Sequence, residues 1–328
     1  MINLNKIIDK NPFSLKKEKK KRLFLNYQKK IFLHHSKKCS AYKKIIDNKN
    51  IKKILSLNDL PYLSVNLFKQ TNLSSIKEDQ RFKTLMSSGT SGQKSQIVLD
   101  KNTAFLQQEA LLKITNNFLG NERLPMIIVD NENTIKNKKS FSARGAAIHG
   151  FSIFGKEKCF ILNDKLEIDE NKLNKFLKKY PNEKYLIFGF TFQIWKYFLN
   201  NKKIKINNRC IFLHGGGWKK MQDVSVNNSI FKNQLKKKFN TISVINYYGM
   251  VEQVGSIFME CEEGFFHCSN LSEIIIRDKN FNVLKNGNSG LIQMLSILPW
   301  SYPGQNIMTE DIGIIHGEDD CKCGRYGK

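Results

Sequence analysis

Apolar residues recur along this chain at two spacings, and the spacing changes near Phe82. Over the first eighty residues, charged and apolar side chains mix at helical intervals. Leu23, Phe24, Tyr27 and Ile31 fall on one face of an amphipathic helix, and residues 60–68 cross over as an extended segment after Asp59. From Phe82 onward short apolar runs alternate with helical stretches. This predicts strands at 82–86, 96–99, 126–129, 185–188, 210–213 and 242–246. Helices are predicted at 103–119, 170–179 and 191–199, with another ending near Phe239, where Phe231, Leu235 and Phe239 stand four apart. Beyond Gly249 the pattern turns to strands and turns, at 274–277, 286–290 and 291–298. The order predicts an α/β protein of mixed sheets with flanking helices: a helical region over 1–80, an α/β body over 81–250 and a β-rich part over 251–328. There is no internal repeat and no low-complexity linker.

With 328 residues and 41% hydrophobic content, the chain has ample material for a buried core. A formal charge of +25 ordinarily points to nucleic acid or an anionic surface. The kind of cation argues otherwise. Only 7 of the 54 basic residues are Arg, the side chain that forks onto phosphates and base edges. The Lys excess arrives with many Asn and Ile, as biased coding in an AT-rich genome would produce, so no specific nucleic-acid role is expected. The densest cationic run, Lys16 to Arg22, reads as the solvated face of the first long helix, in preference to a membrane-surface helix. No signal-peptide pattern and no run of roughly 18 apolar residues occurs, so the expectation is a cytoplasmic protein that does not span a membrane. Seven cysteines, an odd number spread over a long chain, suggest reduced thiols or metal ligands rather than a disulfide framework.

Ser87, Ser88, Gly89, Thr90, Ser91, Gly92, Gln93, Lys94 and Ser95 pack hydroxyls, two glycines and one lysine between two apolar strands. Glycines let backbone N–H groups approach phosphate oxygens, hydroxyls donate further hydrogen bonds and the lysine offsets anionic charge. This is not a Walker loop, which needs four residues between its glycines and Gly-Lys at its end; here a strand follows, not a helix. A Ser/Gly-rich loop alone is most often only a loop.

Three further segments follow in order: His214-Gly215-Gly216-Gly217-Trp218-Lys219, then Tyr247-Tyr248-Gly249-Met250-Val251-Glu252-Gln253, then Thr309-Glu310-Asp311. The first two directly follow apolar strands, at the carboxyl ends where α/β sheets bind ligands. This order resembles that of adenylate-forming enzymes. Within them the chain resembles the acyl-protein synthetases of the LuxE type, with the phenylacetate-CoA ligase branch the next nearest. FLHHSKKCSAY (32–42), LPYLSVNLFK (60–69), FSARGAAIHGFSIFG (141–155), FGFTFQIW (188–195) and SYPGQNIMTEDIG (301–313) also look like LuxE-type segments, so the resemblance covers nearly the whole chain.

The resemblance implies the large-domain fold of an adenylate-forming enzyme and ATP-dependent activation of a carboxylic acid as acyl-AMP. By position, residues Ser87 to Lys94 would hold the ATP phosphates. Gly215, Gly216 and Gly217 would let the adenine lie close to the backbone, and Tyr248, next to Gly249, would pack on the ring. Glu252 would bind Mg2+, Asp311 would accept hydrogen bonds from the ribose hydroxyls, and Arg325 would contact ATP or belong to its own turn. A carboxylate is already a nucleophile, so positioning and electrostatics should dominate, with Lys94 and Glu252 as the catalytic pair. The implied substrate is a long-chain fatty acid, transferred to a protein thiol on an acyl reductase-like partner. An aryl or acyl group joined to CoA is the alternative. His-Gly-Gly-Gly also resembles the oxyanion loop of lipase-like hydrolases, but no G-x-S-x-G elbow follows it.

Cys321 and Cys323, with Cys261 and His267 upstream, supply three thiolates and one imidazole, the donor set of a closed tetrahedral zinc site; Cys268 could replace His267. Similar positions occur in phenylacetate-CoA ligase relatives, and the expected role is structural, with scattered reduced thiols as the equal alternative. LuxE-type proteins continue past the segment matching CKCGRYGK with a stretch that carries the acyl-accepting cysteine. The expectation is that this tail and the small C-terminal region of the superfamily are absent, leaving either adenylation without self-acylation or an inactive, non-catalytic relative.

Overall fold

The computed structural model describes residues 4–46, 53–87, 93–136 and 140–328. It divides into two compact units. The first comprises Met1–Phe118, Lys139–Ala143 and Gly249–Lys328; the second comprises Leu119–Lys138 and Arg144–Tyr248.

The second unit is built on parallel strands. Leu124–Ile128 pairs with Gly155–Phe160 on one side and Tyr185–Phe190 on the other, followed by Cys210–Gly215 and Ser243–Gly249. The central strands Leu124–Ile128, Tyr185–Phe190 and Cys210–Gly215 are nearly continuous apolar runs because both faces are covered, whereas Gly155–Phe160 carries Lys156, Glu157 and Lys158. Alternate residues separate the faces. Ile127, Ile187, Phe212 and Val244 meet the helices Glu170–Lys179 and Asn228–Phe239 and the helical turn Thr191–Ile194, with its π-turn continuation Trp195–Leu199, through Leu173, Phe176, Ile194, Phe198, Phe231 and Leu235. On the opposite face Phe188 and Tyr247 meet Phe151, at the end of the helix Ala143–Phe151. Asn227 caps the helix 228–239 by accepting from the Ile230 N–H, and left-handed Asn240 ends it.

The first unit holds a four-stranded sheet in the order Leu63–Ser64, Asn306–Ile314, Ser289–Ser296, Ser272–Arg277, in which only the first pair is parallel. A smaller sheet joins Gln96–Leu99, Lys83–Met86 and Ser140–Ser142, and Ile257–Glu260 pairs with Phe266–His267. The helix Lys17–Lys38 buries Phe24, Tyr27, Ile31 and His35 against a core shared with Leu63, Leu295, Tyr302 and Ile307. Gln28 on that face donates to the carbonyls of Ser296 and Gln305.

Two local expectations are corrected. Lys20, read as part of a solvated face, is buried, with its ammonium 3.5 Å from Glu273 and donating to the Cys268 carbonyl. Despite burial, Glu273 titrates below the usual carboxylate range because Lys20 and Lys328 face it. The extended segment at 60–68 reduces to the strand Leu63–Ser64, and a helical turn begins at Leu67. Among the described residues, no helix is long and apolar enough to cross a membrane.

Candidate active site

In the second unit, parallel pairing sets Gly215 opposite Tyr247, so the glycine turn and the tyrosine pair end adjacent strands side by side. Packing and backbone conformation require two of the three glycines. A Cβ on Gly215 would meet the Tyr247 ring and carbonyl at 2.5 Å; Gly216 has φ +73° with the Phe190 ring beside it; around Gly217 there is open space. The glycine at 217 is therefore not required by packing. Tyr248 is half-buried and, by strand alternation, projects opposite Tyr247.

His214 precedes the turn and is fully buried. Thr191 Oγ1 lies 3.0 Å from His214 Nδ1 and 3.3 Å from the Gly215 carbonyl, bridging the two. Burial drops the His214 pKa to about 3, which leaves the imidazole neutral, and its ring packs against Phe231 at 4.7 Å. Trp218 closes the other side of the turn edge-on against Trp195 at 5.1 Å. Nothing in the sequence marks His214 apart from the motif it opens; in the fold it sits next to the first glycine, joined to it through Thr191.

The remaining predicted nucleotide residues lie on the first unit. Ser87 and Ser95 flank the segment expected to hold phosphate: the Ser87 N–H donates to the Ser95 carbonyl at 3.1 Å and the Ser87 hydroxyl accepts from the Ser95 N–H at 2.9 Å. Ser88, Gly89, Thr90, Ser91 and Gly92 lie outside the described residues. Lys94 is exposed. Gly249 is exposed, and the loop that follows it is latched by polar side chains: Gln253 donates to the carbonyls of Met294 and Gly304, the Tyr302 hydroxyl accepts from the Val254 N–H, and Ser296 donates to the Val254 carbonyl. Glu252 is buried within this latched loop. Asp311 is exposed on the strand 306–314, its N–H donating to Thr309 Oγ1. Arg325 forks onto Asn117, donating to its Oδ1 and carbonyl at 2.8 and 3.0 Å, pairs with Glu262 at 3.0 Å and stacks over the Phe118 ring at 4.1 Å.

The four residues of the predicted metal set come together. The donor atoms of Cys261, His267, Cys321 and Cys323 all lie within 4.8 Å of one another. Cys261 Sγ and Cys321 Sγ are 3.9 Å apart, and His267 Nε2 and Cys323 Sγ are 3.3 Å apart. A tetrahedral zinc with Zn–S of about 2.3 Å and Zn–N of about 2.0 Å requires edges of about 3.8 and 3.5 Å, so the cluster is already near the spacing that the ion imposes. Cys268 stands outside it; it is buried, with its thiol pushed up to about 12. Cys323 borders a cavity of about 220 Å³ lined by Asn11, Phe13, Asn117, Gly324 and Arg325.

Comparison with known proteins agrees with this architecture. The fold is that of adenylate-forming ligases. A 2-hydroxyisobutyryl-CoA ligase in complex with 2-HIB-AMP and CoA in the thioesterification state superposes with a TM-score of 0.73 at 10% identity, covering 97% of this chain and 68% of that one. Its open conformation gives 0.71 at 11% identity, covering 97% and 74%. The chain belongs to the LuxE family of acyl-protein synthetases, whose sequence model matches residues 2–328. It is 23% identical over 319 residues to the long-chain-fatty-acid–luciferin-component ligase of Vibrio harveyi, covering 92% of this chain and 82% of that one. It is thus an adenylate-forming ligase.

Proposed function

We propose that this ligase joins a long-chain fatty acid to AMP and passes the acyl group to a protein thiol. The observation that carries the reading is the turn at Gly215, Gly216 and Gly217, which ends its strand level with the strand of Tyr247 and Tyr248: backbone bare of side chains beside a tyrosine pair, at the carboxyl edge of a parallel sheet, suits a purine. Family membership and the Vibrio harveyi relative support the fatty acid and the thiol acceptor.

In this reading Lys94 and the loop from Ser87 to Gly92 hold the triphosphate, and Asp311 takes the ribose hydroxyls. Arg325 serves the cysteine-rich segment, since Asn117 and Glu262 already engage its fork. Buried Glu252 offers the hard oxygen donor that Mg2+ prefers. Bound Mg2+ supplies charge neutralisation on the phosphate oxygens. A carboxylate oxygen of the acid attacks the α-phosphorus, the bond to the β-phosphate oxygen breaks and pyrophosphate leaves. A thiolate then attacks the acyl carbonyl and AMP departs. The protein's share is to hold the reactants in line and exclude water. Cys261, His267, Cys321 and Cys323 would bind one structural zinc that staples the strand Phe266–His267 to the segment 321–328, without a part in the acyl chemistry.

The direct test is carboxylate-dependent exchange of labelled pyrophosphate into ATP, run with myristate and with phenylacetate. Exchange that favours myristate is expected; preference for phenylacetate with release of AMP only on adding CoA would replace the fatty acid with an aromatic acid. Absence of exchange with every acid would overturn the reading.

A further inference from the structure

The parallel sheet of the second unit reverses its winding at one place. The crossover leaving Leu124–Ile128 lays the helix Ala143–Phe151 on one face, where Phe151 meets Phe188 and Tyr247. The connection leaving the adjacent strand Tyr185–Phe190 passes to the other face, where Ile194 and Phe198 join the core with Phe212 and Phe231. Connections that diverge to opposite faces open a crevice beyond the carboxyl ends of two neighbouring strands, and open α/β sheets take ligands there.

Asp130, Thr134 and Arg144 on the first connection and Gln193 on the second are joined to one another where the two connections part. Asp130 is buried, and both its oxygens are saturated. Oδ1 accepts from the Asn131 N–H at 2.7 Å and from Thr134 Oγ1 at 2.9 Å; Oδ2 accepts from Gln193 Nε2 at 3.2 Å and from Arg144 Nε at 3.1 Å. Arg144 Nη2 also donates to Thr134 Oγ1, at 3.4 Å. Three neutral donors would satisfy the carboxylate without an arginine. The guanidinium therefore adds something else: a charge of fixed direction, gripped along its Nε edge, on a side chain that stays 32% exposed. A chain that uses Lys for most of its cations places one of its 7 arginines at this point, and a planar fork suits a two-oxygen anion where a point charge does not.

We propose that Arg144, oriented by Asp130, binds the carboxylate of the acid substrate. The inference rests on the functional reading above and names the residue that recognises the acid. Two oxyanions are available to such a fork, a carboxylate or a nucleotide phosphate. The surroundings favour the carboxylate. Asp130 follows a strand two places from the one that ends in the glycine turn, about 10 Å at ordinary strand spacing, so the fork it holds stands apart from the base-binding turn. Asp130 is a positioning residue: it touches no substrate but holds the fork at one angle.

The test uses the full chain, with myristate and its methyl ester as probes. R144Q should raise the KM for myristate in pyrophosphate exchange by about tenfold to a hundredfold, the loss expected for one charged hydrogen-bonding partner, while the KM for ATP stays within about twofold. R144K should recover part of the loss, and D130N should fall between wild type and R144Q. In equilibrium binding followed by tryptophan fluorescence, R144Q should weaken myristate but leave its methyl ester unchanged. An R144Q protein with unaltered myristate KM and affinity overturns the inference and leaves the functional reading intact. A rise in the KM for ATP instead assigns the fork to a phosphate and also overturns it. A wild-type chain that exchanges pyrophosphate with no acid overturns both.

Discussion

The ring of Tyr247 lies where a Cβ on Gly215 would have to stand, and the backbone carbonyl of Tyr247 is as close as the ring, 2.5 Å from that position. A ring can rotate aside; a carbonyl fixed in a parallel ladder cannot. Gly215→Ala should therefore cost about 2 to 3 kcal/mol of stability through overpacking, read from urea unfolding. Gly217→Ala meets nothing within 4 Å and should stay within about 0.5 kcal/mol of wild type. If a purine lies along the turn, the same Gly217→Ala substitution should still weaken ATP by on the order of tenfold. A Gly217→Ala protein that binds ATP normally would leave no reason for a glycine there.

Glu252→Gln keeps shape and removes charge. If Glu252 holds Mg2+, exchange should slow by about a hundredfold, and more Mg2+ should restore part of it. Because Glu252 sits in a loop latched by Gln253 to Met294 and Gly304, melting curves of the variant should show the latch intact. Full activity in Glu252→Gln would move the metal elsewhere.

Purified protein should carry about one zinc per chain by elemental analysis, the stoichiometry of a four-ligand site. Cys323→Ser and Cys261→Ser should each lose it, and a chelator should lower the melting temperature by about 5 °C or more. Cys323 borders the cavity at Asn117 and Arg325, so after chelation a thiol reagent should label Cys323 before buried Cys261. Melting that ignores both chelator and zinc would return the four residues to ordinary thiols and an imidazole.

His35 gives the fold a pH dependence with a definite sign. Its Nδ1 lies 2.7 Å from Ser75 Oγ and its Nε2 3.0 Å from the Pro299 carbonyl, and burial lowers its pKa from 6.5 to about 3. Between those values the unfolded chain binds a proton that the native chain refuses, so stability is full above pH 6.5 and falls as the pH drops towards 3. From pH 7 to pH 5 the loss from this group is about 2 kcal/mol. His35→Gln, less stable at neutral pH, should show a shallower decline over the same interval in chemical unfolding at stepped pH; an equal decline would place the titration elsewhere.

Much of the second unit was legible because its central strands are buried on both faces and read as nearly unbroken apolar runs, whereas the charged strand Gly155–Phe160 gives no such signal. The run at 210–213 became Cys210–Gly215, and the helix expected at 170–179 is Glu170–Lys179. The cysteine cluster was legible as a donor set, although the spacing alone did not say that the fold would close it. What stayed hidden depends on partners far along the chain. Lys20 reads as one lysine in a basic run, and only Glu273 makes it a core residue. Arg144 has no role legible in its own segment, because its meaning comes from Asp130 and from the winding reversal that sets them side by side. The arginine count, 7 in 54 basic residues, was the available signal.

The first unit is assembled from three separated stretches of chain, and Asn306 donates to the Pro61 carbonyl across 245 positions. As the polypeptide leaves the ribosome, the parallel strands 124–249 can pair while the early helix Lys17–Lys38 still waits for its partners at Ser296, Gln305 and Glu273. Its apolar stripe of Phe24, Tyr27 and Ile31 is then uncovered for most of synthesis, so the growing chain, more than the finished enzyme, is where chaperones should be needed.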